Sequence, residues 1–223
     1  MSLVGPYQRA LGHDSGVQTH IVDHPLAAER LTTMRDERTS RVDFRKALSE
    51  LSWLLVYEAT RDLPHKTFQV QTPLAPATGT RIDPVPLIVP VLRAGLGMLD
   101  AAFTMLPSAE IGFVGLRRNE ESLDSEEYMT TVPDDLDGRP VIILDPMLAT
   151  GGSLVHTAEI VERSNPGAII VVCVLAAPEG IAHFGARYPD AQVVTASIDE
   201  RLNDVGFIVP GLGDAGDRQF GVQ

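Results

Sequence analysis

The residues best suited to chemistry lie between Val141 and Ser153, where the apolar run Val-Ile-Ile-Leu ends in Asp145 and Pro-Met-Leu-Ala-Thr-Gly-Gly-Ser follows. This order predicts a buried strand, a short loop and a helix that opens at Thr150. Unpaired amides at a helix N-terminus bind anions, and the adjacent glycines give a phosphate room to approach the backbone. The hydroxyls of Thr150 and Ser153 can donate to the same anion. We predict a phosphate site with Asp145 placed for sugar hydroxyls or a hydrated metal ion; an ordinary strand-to-helix turn is the alternative.

Two arginines follow other apolar runs. Arg93 comes directly after Leu87 to Leu92 and before two glycines, and its planar fork suits a diphosphate. A lone surface arginine is the alternative. Arg118 follows the next run and can reach the same anion, but a salt bridge to Glu120 or Glu121 is equally compatible with the spacing.

The segment from Pro210 to Asp217 reads Pro-Gly-Leu-Gly-Asp-Ala-Gly-Asp, which is too rich in glycine for a helix or a central strand. We predict a loop whose backbone approaches a flat heterocycle, with Asp214 as a metal or ligand residue; a flexible tail is the alternative. The histidines show no metal-ligand or catalytic spacing, and we predict that they do not form a site. No lysine follows the glycines of the phosphate loop, and no Gly-x-Ser-x-Gly appears, so neither a Walker loop nor a hydrolase elbow is supported.

These candidate residues need a scaffold that brings loops together. Short apolar runs alternate with helical patterns, which predicts an α/β fold with an open, mainly parallel sheet flanked by helices. In such sheets ligands bind beyond the carboxyl ends of the strands, where the candidate loops begin. The predicted strands are Leu87 to Leu92, Ile111 to Leu116, Val141 to Leu144, Ala168 to Leu175 and Gln192 to Ala196.

Helical periodicity appears before and between these runs. A short helix is predicted over Pro25 to Arg38, and a longer one begins after an N-cap at Ser40. The longer helix presents one apolar face, and a later helix carries another; these faces are Phe44, Leu48, Leu51 and Leu55, and Leu96, Leu99, Phe103 and Leu106. The acidic stretch between Leu116 and Val141 is either a projecting hairpin, or flap, or a solvated loop. We predict a loose extension over residues 1–19 and a single domain over residues 20–223.

Composition excludes several classes of protein. The 223 residues carry a net charge of −12 and no long Lys/Arg run, so nucleic acid is not expected as a partner. The single cysteine, Cys173, lies in an apolar run and cannot form an internal disulfide. No apolar stretch is long enough for a membrane span and no signal peptide is evident, so we expect a cytoplasmic protein without a membrane partner.

The chain resembles the uracil phosphoribosyltransferase family from about His24 to the C-terminus. Pro146 stands where purine and orotate relatives carry a second acid, which makes the match specific. The matching stretches are Tyr57-Glu-Ala-Thr60, Pro90-Val-Leu-Arg-Ala-Gly-Leu-Gly-Met98, Arg118-Asn-Glu-Glu121, Asp145 to Ser153, Ala176-Ala-Pro-Glu-Gly180 and Pro210 to Asp217.

The resemblance implies a type I phosphoribosyltransferase fold and the transfer of a phosphoribosyl group from 5-phosphoribosyl 1-diphosphate (PRPP) to uracil, in pyrimidine salvage. It implies that Arg93, Arg118, Asp145 and Asp214 are catalytic, and that Mg²⁺ is the cofactor, held near Asp214 mainly through substrate and water. Uracil is expected at Ile208, Gly213, Asp214 and Ala215. The residues expected to bind PRPP are Arg93, Arg118, Asp145, Pro146, Met147, Leu148, Ala149, Thr150, Gly151, Gly152, Ser153 and Asp214.

The resemblance also implies a homodimer or higher homo-oligomer, and it makes GTP a candidate effector because GTP activates some relatives. Phe207 departs from the tyrosine that the family often carries there, which puts any role of that hydroxyl in doubt. Two alternatives stay open from sequence alone. One is an RNA-binding regulator that senses pyrimidine nucleotides with the same fold, and the other is a phosphoribosyltransferase for another base.

Overall fold

The computed structural model describes residues 11–12, 16–118 and 125–221, and gives the backbone alone for residues 11, 12, 117, 118, 125 and 126. Helices and strands alternate along most of this chain. Their bounds are β1 (Leu11–Gly12), β2 (Gln18–Ile21), α1 (Pro25–Arg35), α2 (Arg41–Ala59), β3 (His65–Gln71), β4 (Pro76–Ile82), β5 (Leu87–Leu92), α3 (Leu96–Met105), β6 (Glu110–Ile111), β7 (Val114–Arg118), β8 (Ser125–Thr130), β9 (Val141–Leu144), β10 (Met147–Leu148), α4 (Gly152–Glu162), β11 (Ile169–Ala176), α5 (Pro178–Arg187), β12 (Gln192–Ile198), β13 (Arg201–Leu202), β14 (Ile208–Val209) and α6 (Ala215–Phe220).

The main sheet is open and mostly parallel. Its order is β1-β2-β12-β11-β9-β5-β7-β8, with β10 beside β11 and β6 beside β5. Strands β2, β12, β11, β9, β5 and β7 pair in parallel, whereas β1 and β8 pair antiparallel to their neighbours at the two edges. The predicted α/β fold with a mainly parallel sheet flanked by helices is therefore confirmed.

Successive residues of the central strands face two separate cores. Ile88 and Ile142 pack with α1, α2 and α3 on one side of the sheet. Leu87 and Ile143 pack with α4 and α5 on the other side. Because both faces are covered, the central strands are continuous apolar runs, and each fully buried aliphatic side chain contributes about 1.5–3 kcal/mol.

Helix α2 begins where the sequence predicts. The Ser40 Oγ accepts a hydrogen bond from Asp43 N at 3.1 Å and so caps the first turn. All four residues of the predicted apolar face are fully buried, namely Phe44, Leu48, Leu51 and Leu55. Helix α1 ends at Arg35 rather than Arg38, because Asp36 leaves helical geometry with ψ of 120°.

Two details differ from the sequence prediction, and the division of the chain at residue 19 stays a prediction. That residue lies in β2, which pairs with β12; Thr19 is buried, as is Val17 just before the strand. The run Ile111 to Leu116 is divided between β6 and β7. On α3 the buried residues are Met98, Ala101 and Ala102, so the predicted face leaves Leu96 and Phe103 exposed.

One antiparallel hairpin forms an edge of the main sheet, and another lies outside that sheet. Strands β7 and β8 pair antiparallel, in agreement with the predicted hairpin, although the acidic residues Glu120, Glu121 and Asp124 lie outside the described residues. Strands β3 and β4 form a separate two-stranded sheet. Among the described residues, no helix combines the length and apolarity that crossing a bilayer requires.

Candidate active site

A cavity of about 690 Å³ opens at the carboxyl ends of the central strands. This is the edge at which open α/β sheets bind ligands. Its wall combines the loops after β5 and β9, one face of α4, and the segment around β14 and α6. The lining residues are Ala94, Leu116, Asp145, Met147, Ala149, Thr150, Gly152, Ser153, Val155, His156, Glu159, His183, Val205, Gly206, Phe207, Ile208, Gly213, Asp214, Ala215 and Gly216.

The loop between β9 and α4 is fixed by backbone hydrogen bonds. The Pro146 carbonyl accepts from Val174 N at 2.9 Å and from Leu175 N at 3.1 Å. The Leu148 carbonyl accepts from Ala177 N at 2.9 Å. These contacts hold Pro146 and Leu148 buried against β11, so that the intervening residues present a preset backbone to the cavity.

The backbone conformation at position 151 requires glycine. Its φ is +83°, and a Cβ there would lie 2.9 Å from the Gly180 carbonyl oxygen. It forms the N-cap of α4 without a side-chain cap, and its carbonyl accepts from Val155 N at 2.9 Å. Amides of the first turn before Val155 have no intrahelical acceptor, and the helix dipole adds partial positive charge. The geometry is therefore that of an anion site.

Asp145 sits at the base of this loop. Its side chain is nearly buried, with 8% exposure, and Oδ1 accepts from Met147 N at 3.3 Å. Burial is the largest cause that raises the pKa of Asp145; the Met147 N–H opposes it, the charge of Asp214 adds to it, and the result is a pKa of about 7. A carboxylate held in this way gains stability when a cation or a hydroxyl donor enters the cavity.

Asp214 lies on the opposite side of the cavity. Its Oδ1 accepts from Asp217 N at 2.8 Å and caps α6, and the residue lines the cavity. The preceding loop requires glycine at two positions: Gly213 has φ of +80°, and a Cβ on Gly211 would lie 2.1 Å from the Ile208 carbonyl oxygen. Residues 213–215, which follow this tight path, all line the cavity.

An ion pair anchors that loop to the rest of the fold. Asp199 accepts from both terminal nitrogens of Arg35, at 2.7 and 2.5 Å, and from Gly211 N at 2.8 Å. The same guanidinium donates to the Gly211 carbonyl at 2.8 Å. Burial raises the pKa of Asp199, but the bonds from Arg35 and Gly211 outweigh it and hold the pKa below its ordinary value. Arg218 adds a bond to the Leu212 carbonyl at 3.0 Å.

The predicted site residues are only partly gathered here. Asp145, Thr150, Ser153 and Asp214 line one cavity, together with other members of the predicted set. Arg93 is exposed and does not line it, although its neighbour Ala94 does. The side chain of Arg118 lies outside the described part of the chain. Gly151 lines a smaller adjoining pocket.

Sequence reasoning missed several residues near the cavity. His156 and His183 both line the wall, whereas the prediction that the histidines form no catalytic or metal site stays a prediction. The His183 Nδ1–H donates to the Thr150 carbonyl at 2.8 Å and so supports the loop. His156 lies four residues after Gly152, so both residues are on the same face of α4, the face that lines the cavity. This spacing could have indicated from the sequence that His156 lies near the phosphate loop. Nothing in the spacing of Arg35 and Asp199 indicates their pairing.

The described residues hold no group of three or more His, Cys, Asp or Glu side chains that could bind a metal unaided. Asp145 and Asp214 nevertheless face one cavity and interact electrostatically. Such a sparse set of oxygen donors fits Mg²⁺, which usually keeps several waters and binds through one or two carboxylates and substrate phosphates.

Comparison with known proteins agrees with this geometry. Residues 21–222 match the family model described as uracil phosphoribosyltransferase. The uracil phosphoribosyltransferase of Streptomyces griseus is 53% identical over 209 residues, covering 92% of this chain and 99% of that protein. The structure of the AQ2163 protein from Aquifex aeolicus matches with a TM-score of 0.86 and 39% identity, covering 92% of this chain and 99% of that one. Adenine phosphoribosyltransferase from Trypanosoma brucei, with a TM-score of 0.56, 14% identity and coverage of 90% and 91%, shares the fold.

Proposed function

The chain belongs to the uracil phosphoribosyltransferase family, and we propose that its cavity binds PRPP and uracil side by side and joins them to form UMP and diphosphate. The observation that carries this proposal is the meeting of two segments in one cavity. The anion-binding loop 145–153 forms one wall, and the glycine-rich segment 208–216 forms the other. A volume of about 690 Å³ lies within the ~300–1,000 Å³ range of small-molecule sites.

The 5-phosphate of PRPP is assigned to the start of α4. The free amides there, with the hydroxyls of Thr150 and Ser153, supply hydrogen-bond donors to its oxygens. Asp145, directly below, accepts from the ribose hydroxyls. Residues Met147 and Ala149 complete the wall, whereas Pro146 and Leu148 act through their backbone by holding the loop against β11.

Uracil is assigned to the other wall. The backbone of Ile208, Gly213 and Ala215 is held in place by the Arg35–Asp199 pair and Arg218, and fixed amides and carbonyls can read the edge of a pyrimidine. Phe207 lines the cavity and is 44% exposed, so it offers a ring face but no hydroxyl. We expect the enzyme to work without that hydroxyl.

The reaction needs charge stabilisation rather than a protein nucleophile. The C1–O bond to diphosphate breaks with its electron pair leaving on diphosphate, the C1–N bond to uracil forms, and the uracil N–H proton passes to the departing diphosphate or to water. Negative charge builds on the leaving group, where Arg93 and Arg118 are proposed to bind it. Mg²⁺, when bound with PRPP near Asp214, supplies further charge neutralisation. The acidic segment between β7 and β8 is proposed to exclude water and limit hydrolysis of PRPP.

Diphosphate release tests this proposal. We expect release from PRPP and Mg²⁺ only when uracil is present, and loss of release when a chelator removes Mg²⁺. The same assay with GTP shows whether GTP is an effector. Release without uracil, or none with it, would contradict the proposal.

Loosening the uracil wall gives a specific prediction. Asp199→Asn removes one charge of the pair that holds Gly211, so we expect the KM for uracil to rise about 10-fold while the KM for PRPP changes little. Because asparagine has one acceptor oxygen in place of two, a donor of Arg35 or Gly211 is left unsatisfied, and the free energy of unfolding should fall by about 1–3 kcal/mol. Steady-state kinetics and urea unfolding measure these effects.

Glu110→Gln is the matched control, since Glu110 pairs with Arg139 through a side chain that is 64% exposed. Surface pairs contribute at most about 1 kcal/mol, so both KM values should stay unchanged. An unchanged KM for uracil in Asp199→Asn would show that the Arg35–Asp199 pair does not position the uracil wall.

The RNA-binding alternative is not favoured. The relatives that match are named as enzymes, and the net charge of −12 opposes binding to a phosphate backbone. A gel shift at low salt should show no complex with RNA.

A second copy of the chain is the proposed partner. Helices α2 and α3, which pack together, expose large apolar side chains, and so does the β3–β4 hairpin. Such surfaces are typical of subunit contacts. The exposed residues are Trp53, Tyr57, Leu96, Phe103, Phe68 and Leu74. Light scattering should give at least twice the chain mass of 24.1 kDa, and a monomer would contradict the assignment.

A further inference from the structure

The side chain of Gln219 joins two walls of the cavity. It is fully buried on α6, and its Nε2 donates to the Ala94 carbonyl at 3.0 Å and to the Ala215 carbonyl at 2.9 Å. Ala94 follows Arg93 in the loop after β5, whereas Ala215 follows Asp214. Both alanines line the cavity. One amide group therefore fixes the distance between the loop proposed for diphosphate and the segment proposed for uracil.

Stability alone does not account for an amide at this place. Within the described residues, the buried Gln219 Oε1 has no hydrogen-bond partner, and an unmet buried acceptor costs free energy. A methionine or leucine would fill the same space without that cost. The amide also restricts its neighbour, because a Cβ on Gly97 would lie 2.0 Å from the Gln219 Oε1. Glycine at position 97 thus lets the first turn of α3, which follows the loop after β5, pack directly on this amide.

We propose that Gln219 is a positioning residue that holds the diphosphate loop and the uracil segment at the separation required for transfer. The inference rests on the proposed function, since it assigns a role within the same reaction. Gln219 touches neither substrate in this scheme. Its effect passes through Ala94 and Ala215, and misplacement of bound groups by about 1 Å can cost ~10²-fold in rate.

The test is Gln219→Met, which keeps the length and volume of the side chain but removes both donors. We expect kcat for UMP formation to fall about 10–100-fold, while the KM values for PRPP and uracil change less than about 3-fold, because each wall keeps its own binding groups. Gln219→Leu, which also lacks donors and stays uncharged at every pH, should show the same pattern.

Ser52→Ala is the matched control. Ser52 is fully buried in α2, donates to the Leu48 carbonyl at 2.7 Å and does not line the cavity. It should lower the melting temperature but leave kcat and both KM values unchanged. This separates loss of a buried hydrogen bond from loss of positioning.

The outcomes are distinct. If the wild-type enzyme makes UMP and a folded Gln219 variant keeps the wild-type kcat, the inference is wrong and the proposed function stands. If neither variant folds, Gln219 is an element of the core and the positioning role is also wrong. If the wild-type enzyme makes no UMP, the proposed function itself fails.

Discussion

Asp145→Asn is expected to lower kcat by about 10²–10³-fold while making the folded protein more stable at alkaline pH. The loss of activity follows from removing the charge that faces the ribose hydroxyls and any cation in the cavity. The gain in stability follows from burial. An ionised carboxylate with 8% exposure is costly, whereas the amide of asparagine is neutral.

The pH dependence follows from the direction of the pKa shift. Burial raises the pKa of Asp145 from 3.8 to about 7, so between these values the folded protein binds a proton that the unfolded chain has lost. The favourable contribution of this protonation is present at low pH and is lost as pH rises toward 7. A shift of this size corresponds to an upper limit of roughly 4 kcal/mol.

Urea unfolding at pH 5 and pH 8 measures this contribution. The wild-type protein should lose stability between these values, and Asp145→Asn should lose less. Asp190→Asn, at an exposed position, is the control and should follow the wild-type protein. A wild-type kcat for Asp145→Asn would show that Asp145 is not part of the active site. A wild-type pH dependence of stability for the same variant would show that the pKa of Asp145 is not raised.

Arg93→Ala is expected to lower kcat/KM for PRPP by about 10²–10³-fold without a measurable effect on folding. Arg93 is exposed and directly precedes Ala94, which lines the cavity, and we propose that its guanidinium binds the leaving diphosphate. Because exposed side chains contribute little to stability, the free energy of unfolding should change by less than about 0.5 kcal/mol.

Two further variants sharpen this prediction. Arg93→Lys keeps the charge but loses the planar fork, so we expect an intermediate loss of activity. Arg163→Ala removes another exposed arginine, at the C-terminal end of α4, and should leave the kinetics unchanged. Equal kcat/KM for Arg93→Ala and the wild-type enzyme would exclude Arg93 from the diphosphate site.

The strands that sequence predicted best are those buried on both faces. Leu87–Leu92 and Val141–Leu144 match the prediction at both ends, because continuous apolar runs leave little choice of structure. β2 was missed because four residues, Gln-Thr-His-Ile, show neither a run nor a clear alternation. The strand exists because its backbone pairs with β12, which is a tertiary interaction.

In the candidate site, too, local sequence patterns predict some residues, whereas others are brought there only by tertiary contacts. Asp145, Thr150 and Ser153 could be predicted because strand, loop and helix follow one another within a few residues. The groups that hold the opposite wall could not, since Arg35 and Asp199 are 164 positions apart, and Gln219 and Ala94 are 125 apart. These residues come into contact only in the folded chain, and the local periodicity of the sequence does not predict such long-range pairs.

The most direct test is a competition among bases. The enzyme is incubated with PRPP, Mg²⁺ and equal concentrations of uracil, cytosine, hypoxanthine and orotate. The nucleotides that form are then separated, identified and quantified by mass spectrometry. The proposed arrangement of the cavity predicts UMP as the sole nucleotide product, with one diphosphate released for each UMP. Formation of another nucleotide in place of UMP, or of no nucleotide at all, would contradict it.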